Sequence, residues 1–225
     1  MKNKPNLVVM LTYNDVTVEN AYEVFDSCKD LPVQNWGFKN VGLPKDQMKQ
    51  LVAAMKAAGK TTYLEVVTYD EKSCLEAAHT AIECGFDVLM GTVYYASVHQ
   101  YLNENHMEYS PFVGKVSGSP SILEGTNEEI IQNARDLMAK GIGAFDILAY
   151  RHVVDGEKLA REFCAAVDAK VCIAGSISNF KRIDTMFDIG PWGFTMGSAL
   201  FTKNFVPEGS FRDNLKAVAD YMAAK

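Results

Sequence analysis

The sequence predicts an α/β fold, a single-domain (β/α)8 TIM barrel over residues 1–225, and three observations carry that prediction. Short apolar or β-branched runs alternate with longer stretches of helical period along the whole chain. Eight such runs are present, on average about 26 residues apart, close to the length of one βα unit. The segments between them open on capping residues or stop at glycines. No Pro/Ser-rich linker or low-complexity block divides the chain. An open doubly wound sheet is the main alternative. It fits less well, because eight regular repeats leave no room for an extra strand or domain.

The first run is Leu7–Tyr13, and the second, Val33–Lys39, precedes a helix over Lys45–Ala58. Pro44 is a favourable entry residue for that helix, and Gly59 stops it. The third run, Thr61–Thr68, leads into a helix from Asp70 to Cys84 that ends at Gly85, and the fourth is Phe86–Gly91. The fifth is Phe112–Ser117. After it, Thr126-Asn127-Glu128-Glu129 reads as a capping box, with Gly141 closing the helix. The sixth, Phe145–Arg151, is followed by a helix starting at Asp155. The seventh, Val171–Ser176, precedes a helix over Asn179–Phe187 for which Ser178 is the expected cap. The eighth is Trp192–Ser198, with one short turn after it and a last helix capped by Ser210.

Composition narrows the partners. The chain has 22 Lys and Arg against 28 Asp and Glu, a net charge of −6 and a pI near 5.3. That balance argues against nucleic acid, whose phosphates need clustered cations. The longest strong apolar run, Leu7 to Leu11, is five residues, against the roughly 20 that a spanning helix needs. It follows Lys2 and Lys4 but is too short for a signal peptide, so a mature, untargeted, cytoplasmic chain with no membrane partner is expected. The five cysteines show no CxxC spacing and read as buried free thiols. His79, His99, His106 and His152 lack ligand spacing, so neither a metal nor a cofactor is expected. Nothing in the sequence decides for or against a homo-oligomer.

In a barrel the active site lies at the carboxyl ends of the strands. Strands seven and eight both end in Gly-Ser, at Gly175-Ser176 and Gly197-Ser198, each before a helix start. Glycine lets backbone approach an oxyanion closely, and free N–H groups at a helix start point toward it. These four residues are the candidate phosphate grip, and a small phosphorylated metabolite is the expected partner.

Ala174-Gly175-Ser176-Ile177 with Ser178, and Trp192-Gly193-Phe194-Thr195-Met196-Gly197-Ser198-Ala199-Leu200, resemble the phosphate grip of the ribulose-phosphate-binding barrels. That group includes the histidine-biosynthesis isomerase and cyclase barrels, ribulose-phosphate 3-epimerase and orotidine-phosphate decarboxylase. The resemblance implies a phosphorylated sugar or similar ligand; it names no reaction. The histidine-pathway barrels carry carboxylates at the ends of strands one and five, where this chain offers Asp15 and Lys115. The decarboxylases read Asp-x-Lys-x-x-Asp, where Gly37 and Gly42 stand around Lys39. The fold pattern therefore transfers and the catalytic residues do not.

The chemistry must be read from charged residues inside strands. Alternation puts Asn35, Gly37 and Lys39 on one face of strand two, and Tyr63 and Glu65 on one face of strand three. Lys115 and Ser117 alternate on strand five, and Ile147, Ala149 and Arg151 on strand six. Glu65 stands among Leu64, Val66 and Val67, where an unpaired charge is costly. A salt bridge at the barrel top would satisfy it. As chemistry, Glu65 with Lys39 and Lys115 makes an acid–base set aimed at a carbonyl compound. Asn14, Arg151 and Ser117 would orient the substrate, and Tyr13, Tyr94, Tyr95 and Tyr150 would form the rim. Two functions follow: an isomerase, epimerase or lyase acting by enolisation on a phosphorylated sugar or phospho-keto acid, or a non-catalytic barrel that binds a phosphometabolite.

Overall fold

The computed structural model describes residues 4–225; residues 1–3, Lys2 among them, lie outside the described residues. Eight parallel strands form the barrel: β1 (Asn6–Met10), β2 (Asn35–Lys39), β3 (Thr61–Val66), β4 (Val88–Gly91), β5 (Glu108–Ser110), β6 (Ala144–Ile147), β7 (Lys170–Ile173) and β8 (Gly193–Met196). The hydrogen-bonded order is β6-β7-β8-β1-β2-β3-β4-β5. A parallel bridge between Phe112 and Asp146, with the Asp146 N–H donating to Pro111 O at 3.1 Å, brings the two ends together. The molecule is thus a nearly closed, single-domain (β/α)8 barrel.

Period-two alternation divides the strand residues into two apolar layers. Val8, Met10, Tyr63, Val88, Met90 and Cys172 fill the barrel interior. Their neighbours Val9, Trp36, Phe38, Leu64, Leu89, Phe145, Ile173 and Phe194 face the helices and are fully buried. Trp36 packs edge-on against Phe25 at 5.1 Å between ring centres. Each large side chain buried in this outer layer contributes about 1.5–3 kcal/mol.

The helices are α1 (Ala21–Asp26), α2 (Lys45–Ala57), α3 (Glu71–Cys84), α4 (Ala96–Glu104), α5 (Asn127–Met138), α6 (Gly156–Ala166), α7 (Phe180–Ile189), α8 (Ser198–Phe201) and α9 (Phe211–Ala223). Asp70 and Asp155 cap α3 and α6 through their side chains, and Thr126 with Glu129 and Ser210 with Asp213 form capping boxes. The cap of α7 is Asn179, whose side chain accepts from the Arg182 N–H at 2.9 Å, and not Ser178. Asn is as good a cap as Ser, so the one-residue shift leaves no sequence trace.

Three other expectations are corrected. The fifth barrel strand is Glu108–Ser110, and the Lys115–Ser117 run instead pairs with Ile122–Glu124 as an antiparallel hairpin outside the barrel. The β-branched hairpin imitates a barrel strand better than the polar Glu-Tyr-Ser run does. On β6 the inward residues are Ala144 and Asp146, the register partners of Lys170 and Cys172. Leu148 ends the strand and a 3-10 turn, Ala149–Arg151, follows, so the parity counted back from Arg151 fails. Finally, β1 stops at Met10, and Thr12–Tyr13 and Val16–Thr17 form a small hairpin over the mouth.

Candidate active site

A cavity of about 270 Å³ opens at the carboxyl ends of the strands. Lys39, Glu65, Asp15 and Arg151 line it together with Gly175, Ser176, Ile177, Ser178, Gly197, Ser198 and Ala199. The two halves that the sequence suggested separately therefore share one space.

Lys39 and Glu65 are register partners on β2 and β3, which points both into the barrel. Lys39 Nζ lies 3.7 Å from Glu65 Oε1 and donates to Asp15 Oδ1 at 2.8 Å. Arg151 reaches the same Asp15 oxygen at 3.5 Å. Asp15 arrives there because the hairpin turns on Asn14-Asp15 with φ of 49° and 62°. Two successive positive φ values define the tight two-residue turn in which Asn and Asp are favoured. Thr17 fixes the hairpin to β2: its hydroxyl donates to Lys39 O and accepts from Lys39 N–H, both at 2.9 Å.

The electrostatics follow from burial and pairing. Burial pulls the Lys39 ammonium toward a lower pKa, but the charges of Glu65 and Asp15 outweigh it and hold it above the ordinary lysine value. Burial pushes Asp15 up, yet its bond to Lys39 and the nearby Arg151 bring it below the usual carboxylate range. Glu65 goes the other way: burial raises it, and Lys39 offsets only part of that rise. The site therefore holds a firmly protonated ammonium beside a carboxylate of increased basicity.

The first N–H groups of a helix have no intrahelical acceptor, and α7 and α8 both start just after the two Gly-Ser segments. Gly197 passes so close to the first strand's end that a Cβ there would lie 2.7 Å from Thr12 Oγ1 and 3.0 Å from Met10 O. Gly175 has φ of +88°, and a Cβ would meet the Arg151 side chain at 2.8 Å. Both glycines are required by this local packing. Ser176 and Ser198 are exposed and free to turn toward a ligand. Arg182 donates to Ser176 O, tying the loop before α7 to that helix.

Several expected residues are elsewhere. Lys115 is 78% exposed on its hairpin, 3.8 Å from Glu124. Ser117 and Asn14 do not line the cavity; of the tyrosines expected at the rim, Tyr13 lies on the hairpin over the mouth and Tyr150 in the 3-10 turn after β6. In their place the structure supplies Ser121 from the turn of the Lys115 hairpin, Thr202 and Asn204 after α8, and Asp15. Asp15 is legible in the sequence in principle, since a turn after β1 must place one of its two residues over the mouth. Ser121, Thr202 and Asn204 carry no sequence signal, because loop conformation alone brings them in. Among the described residues, no group of three His, Cys, Asp or Glu is placed to hold a metal ion, and no helix is long and apolar enough to cross a membrane. All five cysteines are free.

Comparison with solved structures agrees with this architecture. A native KDPGal structure superposes with a TM-score of 0.71 at 14% identity, covering 100% of this chain and 97% of that one. Orotidine 5′-phosphate decarboxylase from Pyrococcus horikoshii OT3 gives 0.71 at 13%, covering 96% and 99%. The tryptophan synthase A-subunit from Pyrococcus furiosus gives 0.67 at 11%, covering 100% and 99%. At these identities the likeness is one of fold, extending over nearly the whole of each chain. No protein-family model and no curated sequence matches the chain.

Proposed function

We propose that this protein is a metal-independent enzyme acting on a small phosphorylated sugar or phospho-keto acid by enolisation, as an isomerase, an epimerase or a lyase. One observation carries the reading: the Lys39–Glu65 pair and both Gly-Ser loops line the same cavity. Fold alone does not assign a function. The names of two neighbours, a decarboxylase of orotidine 5′-phosphate and a tryptophan synthase subunit, add support for an enzyme, and the first also for a phosphate-bearing ligand.

The roles follow from the charges. The substrate phosphate sits against the backbone N–H groups near Gly175-Ser176 and Gly197-Ser198, where helix starts favour an anion. Its carbonyl lies toward Lys39, whose ammonium stabilises the negative charge that develops on oxygen. Glu65 removes the proton from the neighbouring carbon, its basicity increased by burial. Because Lys39 is held protonated by Asp15 and Glu65, it serves as an electrostatic partner and not as an amine nucleophile in the resting site. Arg151 orients the substrate's polar groups at the mouth.

Exchange of substrate carbon-bound hydrogen with deuterated solvent, followed by NMR across a panel of sugar phosphates and phospho-keto acids, tests enolisation whatever the product. Exchange in the wild type and its loss in Glu65→Gln are the expected results. Phosphate ligands that bind by calorimetry but never exchange would reject the enzyme reading in favour of a non-catalytic phosphometabolite-binding barrel.

A further inference from the structure

Asp146 has no part in the site as described. It points into the barrel from β6, is fully buried, and neither carboxylate oxygen has a hydrogen-bond partner among the described residues. Its β7 register partner is Cys172, whose thiol burial pushes well up. The charged groups acting on it are Glu65 and Lys39. Two other polar pairs of the interior are engaged with each other: Tyr63 donates to Asn35 at 3.1 Å, and Lys170 pairs with Glu108 at 2.7 Å.

Charge balance decides its state. Lys39 is bonded to Asp15 and paired with Glu65, and Arg151 shares Asp15. Two cations thus face two carboxylates, and among the described residues these pairs leave no cation for a third. A buried carboxylate with no donor, near only a cation that is already paired with two other carboxylates, is among the most costly groups a protein core can hold. Neutral carboxylic acid is the form that avoids this cost.

We propose that Asp146 holds the single proton of a Glu65–Asp146 pair at neutral pH, leaving Glu65 ionised beside Lys39. The proposal rests on the reading of Glu65 as the base and deepens it: Asp146 is a positioning residue that acts through Glu65. A proton resting on Glu65 would block the base, whereas a proton on Asp146 leaves it open. When the substrate C–H bond breaks, its electron pair enters the enolate and its proton forms an O–H bond on Glu65. The pair then carries two protons beside the ammonium. Reprotonation of the enolate carbon by Glu65 returns the pair to one. The Asp146 proton stays in place throughout.

Infrared spectroscopy of the ligand-free protein tests the placement, using wild type labelled with ¹³C in the Asp or the Glu side-chain carboxyl, alongside Asp146→Asn and Glu65→Gln. At neutral pH the wild type should show the C=O band of a protonated carboxyl that shifts with Asp labelling and is missing from Asp146→Asn. In Glu65→Gln the band should persist but titrate away at lower pH, because the opposing charge is gone. Absence of the band, a shift only with Glu labelling, or an unchanged titration in Glu65→Gln would overturn the proposal. Should Asp146→Asn fail to fold, the two labels on the wild type still decide the assignment. No substrate enters this measurement, so an Asp band beside a failed hydrogen-exchange experiment would reject the enolisation reading and leave the proton placement standing.

Discussion

Lys39 Nζ stands between two carboxylates of different origin: Asp15, 2.8 Å away on a loop hairpin, and Glu65, 3.7 Å away on the neighbouring strand. The shorter contact is a hydrogen bond and the longer is not. Asp15 therefore takes the directional interaction, while Glu65 keeps lone pairs available for a proton.

That division predicts the behaviour of Glu65→Gln. The amide keeps the shape of the side chain and removes a negative charge from the cavity, so inorganic phosphate should bind at least as tightly. Turnover should fall by roughly 10²-fold or more, the usual worth of a general base. Steady-state kinetics beside phosphate calorimetry checks both halves; wild-type turnover would make the pair structural.

Removing the lysine is a different matter. Lys39→Met leaves a buried carboxylate without its counter-ion, a loss of about 3–5 kcal/mol. Adding Glu65→Gln should restore a substantial part of it, since neutralising the stranded partner removes the cause. Urea unfolding of the wild type, both single variants and the double variant forms the cycle. Strict additivity would mean that the two residues do not interact.

The phosphate grip is best tested at a serine. At Gly197 any side chain meets Thr12 and Met10 within about 3 Å, so Gly197→Asp would confound repulsion with misfolding. Ser198 is exposed at the first position of α8. Ser198→Asp should leave stability within about 0.5 kcal/mol and weaken phosphate affinity about tenfold or more by like-charge repulsion. Calorimetry with phosphate that finds equal affinities would place the anion elsewhere.

Asp146 makes a prediction about stability and pH. Its folded pKa is raised far above that of the unfolded chain, so unfolding above the ordinary Asp range releases a proton. Stability from this group is present at low pH and falls as pH rises, by about 1.4 kcal/mol per pH unit, until the folded pKa is reached. Asp146→Asn carries no such proton. The stability difference between wild type and Asp146→Asn should therefore slope with pH, moving in the variant's favour as pH rises. Parallel urea-unfolding stabilities across mildly acidic to neutral pH would contradict it.

Lys115→Ala should change neither stability nor phosphate binding measurably. Its side chain is 78% exposed and its partner Glu124 is 3.8 Å away, a surface pair worth about 0–1 kcal/mol. A large loss in either assay would put the hairpin in the site.

What the sequence revealed, and what it hid, has a physical pattern. The barrel was legible because strand runs and helix stops recur with regular spacing, and Lys39 and Glu65 because a charge inside an apolar strand is conspicuous. The Gly-Ser ends of β7 and β8 were visible for a related reason: a small residue repeated at one structural position marks a close approach. Asp146 was hidden by parity, since counting inward faces from Arg151 crosses a 3-10 turn that resets the alternation. Lys115 was misplaced because a loop hairpin with β-branched residues mimics a barrel strand, whereas the true β5 is three residues long and begins with Glu108. Neither error was open to correction by composition or spacing.

The hairpin that carries Asp15 across the mouth has a consequence for how any ligand enters. Both cations on this side of the cavity are already answered by a carboxylate of the protein itself. An incoming anionic group at Lys39 and Arg151 therefore binds by exchange: Asp15 must withdraw or share, and the observed affinity is the difference between two similar interactions. Such a mouth discriminates by rivalry. A weak, singly charged anion gains nothing over the resident carboxylate, while a ligand held at a second point of the cavity arrives at high local concentration and can displace it.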